Sequence, residues 1–175
     1  MANHVTNIIE IQYPSEVSSA IEEIYNKLME NNDLHCLYDN VEMTREWYET
    51  NIGAKWARFN DNPSIEEDVL WLSIESAWHE ISPFIDRLNE LTENKCVIKH
   101  QFIDEVPLFG GTRLYEDGEV CKENVMDDMD EMLAQEIRTR LVAENLTFDS
   151  DHDREDWLWD WKWDWVYESI EIEDE

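Results

Sequence analysis

Thirty surplus negative charges constrain this chain before any element is drawn. Asp and Glu number 43 against 13 Lys and Arg over 175 residues. High charge with little apolar content leaves a chain disordered. Here 42% of residues are hydrophobic and nine are Trp, so a core can form. A chain of this length is simplest as one domain with decorations. Its surface repels phosphate backbones and anionic membranes and attracts what binds phosphate. Carboxylates can then stand where a nucleic-acid-binding protein expects phosphates. The competing reading is that acidity serves solubility alone.

The N-terminus lacks the basic and apolar regions of a signal peptide, and no stretch matches a membrane helix. Cys36, Cys96 and Cys121 are odd in number and widely spaced, which points to reduced thiols. The expected location is the cytoplasm of a bacterial host, with no membrane partner.

Apolar periodicity orders the first two-thirds of the chain. His4–Tyr13 alternates as a strand, with Val5, Asn7, Ile9 and Ile11 on one face. Pro14 and Ser15 open a helix through Val17, Ala20, Ile21, Ile24 and Leu28, with Ser15 as its cap. Residues 31–42 read as a loop, and Thr44–Asn51 as a short helix. Ala54–Asn60 is a short strand candidate, and the following DNPSIE segment reads as a loop. Asp68–Trp78 alternates strongly. Ser82-Pro83 starts a helix carrying Phe84, Ile85, Leu88 and Leu91, with the serine as cap. Lys95–Ile103 is another strand. Pro107 and Gly110-Gly111 break the chain, Thr112–Tyr115 adds a strand, and Asp117-Gly118 turns it. Strand, helix, strand, strand, helix, strand is the order of a split βαβ, ferredoxin-like sheet.

From Glu116 onward the character changes, with 22 acidic against 5 basic residues. A third helix is expected at about Glu123–Asn145, with Val125, Met126, Met129, Met132, Leu133, Ile137 and Leu141 on its apolar side. Its acids lie early and Arg138 and Arg140 late, as the helix dipole favours. The expected fold class is α+β: a ferredoxin-like βαββαβ sheet with two helices, plus an acidic C-terminal helix and a Trp-rich strand. The expected domains are 1–120, ferredoxin-like, and 121–175, an acidic helix-strand extension packed on it.

Trp47, Asn51, Gly53, Lys55 and Trp56 form the string W-x-x-x-N-x-G-x-K-W. Ser76-Ala77-Trp78, a Pro-led helix at Pro83, Phe109-Gly110-Gly111 and Asp117-Gly118 follow. Over residues 1–120 the chain resembles the YubB-like ferredoxin-fold family carried by plasmids and phages. The resemblance implies a mobile-element origin and a ferredoxin-like fold, and it implies no catalytic residues.

Trp157, Trp159, Trp161, Trp163 and Trp165 occupy every second position. In a strand all five share one face, which Tyr167 extends, while Asp160 and Asp164 take the other. That face either buries against the domain or anchors a partner. Asp149, Asp151 and Asp153 mimic the start of a calcium loop, but Arg154 stands where glycine is required, so a solvated acidic loop is expected. Cys96 with His100, and His35 with Cys36, do not make a zinc framework. Phe109-Gly110-Gly111 is too short for a phosphate loop. No nucleophile, base and orienting group can be named together, so no enzyme, cofactor or metal is expected.

The functional expectation is a phage or plasmid interaction protein that acts as an acidic nucleic-acid mimic. It would inhibit a host nucleic-acid-binding defence protein, a restriction or CRISPR effector, without binding nucleic acid itself. The partner-binding residues expected are Asp127, Asp128, Asp130, Glu131, Asp149, Asp151, Asp153, Glu155 and Asp156, with Trp157, Trp159 and Trp161 as support or anchor. The alternative is an inhibitor or adaptor that grips its partner through sheet edges or apolar contacts.

Overall fold

β1 (His4–Gln12) is the spine of the molecule: Val5, Asn7, Ile9 and Ile11 are fully buried on one of its faces. The computed structural model describes residues 3–144, 148 and 150–172, which form seven strands and five α-helices. β1 lies between β4 (Val69–Ala77) and β5 (Val97–Asp104), antiparallel to both. β2 (Ala57–Phe59) and β3 (Ser64–Glu66) pair with β4. β6 (Gly110–Glu116) pairs with β5, and β7 (Glu119–Met126) closes that side. The order is β2-β4-β1-β5-β6-β7, and every pairing is antiparallel. This is a mixed α/β architecture.

Register puts the apolar sets on one side. Ile9 faces Leu72 on β4, and Ile11 faces Leu70 on β4 and Ile98 on β5. α1 (Ser18–Asn31) covers that face with Ile21, Ile24 and Leu28, and α3 (Ser82–Leu91) with Phe84, Ile85 and Leu88. Each such side chain contributes about 1.5–3 kcal/mol by leaving water. α2 (Arg45–Asn51) packs beside α3, its start capped by Thr44 Oγ1, which accepts from the Trp47 amide at 3.1 Å.

A second, smaller core forms on the opposite face. Ile103 is one residue out of phase with Phe102, so it points away from α1 and α3. It packs with Met129, Val166 and Ile170 from α4 (Met129–Ala143) and α5 (Asp151–Ile170). Asn124 on β7 ties α5 down by donating to the carbonyls of Ser169 and Glu171 at 2.8 and 3.1 Å.

The W-x-x-x-N-x-G-x-K-W string is explained by packing. Trp47 sits among His35, Tyr38 and Tyr48. Asn51 Nδ2 donates to the Trp47 carbonyl, and the Asn51 carbonyl accepts from Tyr38 Oη. Gly53 adopts φ of 100°, and a Cβ there would lie 2.7 Å from Pro83 Cδ. Trp56 meets His4 edge-on at 5.3 Å.

Several expectations are corrected. The Trp-rich segment is not a strand but the 20-residue helix α5. The third helix starts at Met129, not Glu123, because residues 119–126 pair with β6 as β7. Ser15 does not cap α1: a 3-10 turn at Ser15–Val17 comes first, with no side-chain cap at either start. Ser82 lies inside α3 and makes no cap bond, although Pro83 does occupy the first turn. Within the expected loops, Ser64–Glu66 forms β3 and Leu34–Leu37 forms a 3-10 turn. Gly110-Gly111 opens β6 rather than breaking the chain, since a Cβ on Gly111 would meet the β7 backbone at 2.8 Å. No helix among the described residues is long and apolar enough to cross a membrane.

Candidate functional site

The expected acidic positions fall in two places. Asp127 and Asp128 occupy the turn before α4, and Asp130 and Glu131 its first turn; all four are exposed. Asp128, Asp130 and Glu131 share a shallow open depression with Met132, Gln135 and Arg138. Asp151, Asp153, Glu155 and Asp156 are exposed on the first turns of α5, so the expected loop is a helix start. Ser150 Oγ caps it by accepting from the Asp153 amide at 3.1 Å, and Asp151 and Asp153 lie where the helix dipole favours anions. Asp149 lies outside the described residues. Among the described residues no cluster of His, Cys, Asp and Glu could hold a metal.

Helix geometry sorts the tryptophans differently from a strand. Steps of two residues place neighbours on nearly opposite sides, but steps of four stack them. Trp157, Trp161 and Trp165 form one ladder, with Trp157 and Trp161 parallel at 5.7 Å. Trp161 is buried, and the Arg140 guanidinium lies 5.3 Å from its ring centre. Trp159, Trp163 and Tyr167 form the second ladder, at 5.9 and 6.5 Å. Trp159 and Tyr167 are exposed.

The same helix aligns carboxylates that the strand reading separated from the site. Asp153, Asp156, Asp160, Asp164 and Glu168 recur at steps of three or four residues and are all exposed. At 100° per residue they fall within a sector of about 120°, a ridge running between the two aromatic ladders. The strand reading did not single out Asp160, Asp164 and Glu168 as members of this ridge, and the four-residue spacing is the signal that could have found them. α5 carries seven carboxylates in 20 residues, counting Asp151 and Glu155. Over its length of about 30 Å that is one per ~4 Å; with Arg154 and Lys162 counted, the net is one negative charge per ~6 Å, against one per ~3.4 Å for a single DNA strand.

A second polar cluster was not legible in the sequence. Glu80 Oε1 accepts from Arg113 at 2.9 Å, and Arg113 also donates to Ser82 Oγ and to Glu123. Burial alone would raise the Glu80 carboxyl, but hydrogen bonds from Arg113 and Ser82 outweigh it and hold it below its usual range. Beneath it His100 Nε2 meets Asn7 Oδ1 at 3.0 Å, and Asn7 donates to Ser76 Oγ at 2.9 Å. Burial pushes the His100 imidazole down to about 4. Trp78, Phe102, Phe109 and Arg113 line a hollow above this network. The cluster clamps the β4–α3 connection to β6 and β7.

No family model and no curated protein matches the chain. Among solved structures it is similar to protein api92 from Yersinia pseudotuberculosis, described with the family model DUF1281, at 20% identity and a TM-score of 0.38. That likeness covers 54% of this chain and 34% of the Yersinia chain. It is also similar to a chain in the complex of A. aeolicus tRNASec with M. kandleri SerRS, at 16% identity and a TM-score of 0.34, over 82% of this chain and 30% of that one. The chain therefore spans about a third of the length of each, and neither likeness is close enough to transfer a residue role.

Proposed function

We propose that this is an acidic interaction protein of phage or plasmid origin that occupies the cationic, nucleic-acid-binding face of a host defence protein, such as a restriction or CRISPR effector. The observation that carries this reading is the carboxylate ridge of α5, five carboxylates recurring every three or four residues along one side of a rigid helix. The acids at the start of α4 extend the same sign of charge. A rigid helix holds its charges in a fixed array, which a solvated loop does not. The order β2-β4-β1-β5, with α1 and α3 on one face, supports a ferredoxin-like core extended by β3, β6 and β7. The acidic extension expected from residue 121 corresponds to α4, α5 and most of β7, which begins at Glu119.

Capture from a bacterial lysate on the tagged protein tests this. Bound proteins should be nucleic-acid-binding, should leave on addition of duplex DNA or structured RNA, and should bind less as salt rises. The combined variant Asp153→Asn, Asp156→Asn, Asp160→Asn, Asp164→Asn should lose them. Partners that resist both competitor and salt, and bind the variant equally, would replace mimicry with an apolar-contact adaptor.

A further inference from the structure

The second aromatic ladder opens onto a cleft beside the acidic ridge. Trp159, Trp163 and Tyr167 of α5 form one wall, and Thr6, Ile103, Asp104 and Glu105 the other, around a volume of about 430 Å³. Trp159 is 62% exposed and Tyr167 45%, unusual for side chains with this much apolar surface to bury. The protein already seats a cation against these rings: Lys162 Nζ lies 4.8 Å from the centre of Trp163 and 5.6 Å from that of Trp159. Asp104 is fully buried and shares the β5 face of Phe102 rather than that of Ile103; Asn3 Nδ2 contacts its Oδ2 at 3.5 Å, and the Glu105 and Leu108 amides hydrogen-bond its carboxyl. Glu105 is exposed at the rim.

We propose that this cleft receives a cationic side chain, foremost an arginine, presented by a protein partner. Aromatic faces attract cations through their quadrupole, by ~0.5–1 kcal/mol when exposed and about 2 or more when desolvated. A guanidinium suits the site better than an ammonium, because its plane stacks on indole while its fork reaches carboxylates. An anion would meet Glu105 and a surface of net charge −30, so nucleic acid is excluded as the occupant. The cleft thus names the side chain that a cationic partner contributes beside the ridge, and it rests on the reading of α5 as a docking element.

The test uses the full chain and needs no identified partner. Arginine amide is titrated into ¹⁵N-labelled protein while the nine indole N–H signals are followed, with citrulline amide as the neutral isostere. Saturable shifts at the Trp159 and Trp163 indoles with arginine amide, absent with citrulline amide, are expected. In Trp159→Ala the Trp163 indole should stop responding while the remaining indole signals keep their positions, which reports an intact fold. Equal response to citrulline amide, shifts spread over all nine indoles, or none at Trp159 and Trp163 would overturn the proposal. The lysate competition reads the ridge and this titration reads the cleft, so either can fail alone.

Discussion

At the scale of single residues, His100 is a marked departure from what water would dictate. It is fully buried, its Nε2 is held by Asn7, and its Nδ1 has no partner. Desolvation depresses its folded pKa to about 4, well below the ordinary imidazole range, and the cation of Arg113 acts in the same direction against Glu80. Folding therefore expels a proton from this ring. Its contribution to stability is complete above the unfolded pKa and is lost as pH falls toward the folded one, amounting to about 3 kcal/mol. Asp104 and Asp86, raised by burial, work in the opposite sense, since their protonation favours the folded state. A comparison between wild type and His100→Gln isolates the histidine. Urea unfolding at pH 7 and pH 4 should show wild type losing about 3 kcal/mol relative to the variant. Parallel pH profiles would mean that His100 is charged or hydrated in the folded protein. None of this was legible in the sequence, where His100 was one strand position beside Cys96. Its surroundings come from β1, β4 and β6, which the chain brings together only by sheet register.

At the scale of elements, α5 is where local pattern and tertiary outcome part. Five tryptophans at every second position satisfy a strand face, but the same residues also recur every fourth position and satisfy two helical ladders. Local periodicity cannot choose between these. Ser150 as cap, acids in the first turn and the apolar face offered by Ile103 and Met129 choose the helix. The two geometries predict different mutants. In a strand with one buried Trp face, all five truncations would cost similar amounts. In the helix, Trp161→Ala should cost about 3 kcal/mol, as for other buried aromatics, and Trp159→Ala within about 0.5 kcal/mol. Urea denaturation of both variants decides it, and equal losses would favour the strand. β7 escaped notice for a different reason. Residues 119–123 are exposed without alternation, so nothing marks them as a strand. Asp117-Gly118, with φ of 52° and 80°, turns the chain back onto β6 and sets the pairing.

At the scale of the whole molecule, the charge is borne by a small apolar core and opposes its compactness. Exposed carboxylates repel over about 30 Å at 0.01 M salt but over only about 8 Å at 0.15 M. The melting temperature should therefore climb as NaCl rises from 10 to 500 mM, by roughly 2–4 °C for each kcal/mol of repulsion relieved. A flat or falling profile would mean that the acids are individually neutralised rather than mutually repelling. Binding through the ridge should weaken over the same range, so stability and affinity move oppositely with salt. What the sequence determined alone was the set of elements whose burial is local. The alternation of Val5, Ile9 and Ile11, of Leu70, Leu72 and Ile74, and the helical stripes of α1 and α3 each report which side of one element leaves water. What only the tertiary structure decided was everything resting on two elements meeting. The choice of helix for the tryptophans, the alignment of Asp160, Asp164 and Glu168 with Asp153 and Asp156, and the clamp around Arg113 depend on which surface each segment packs against. Periodicity records whether a side chain is buried, and it carries no record of the neighbour that buries it.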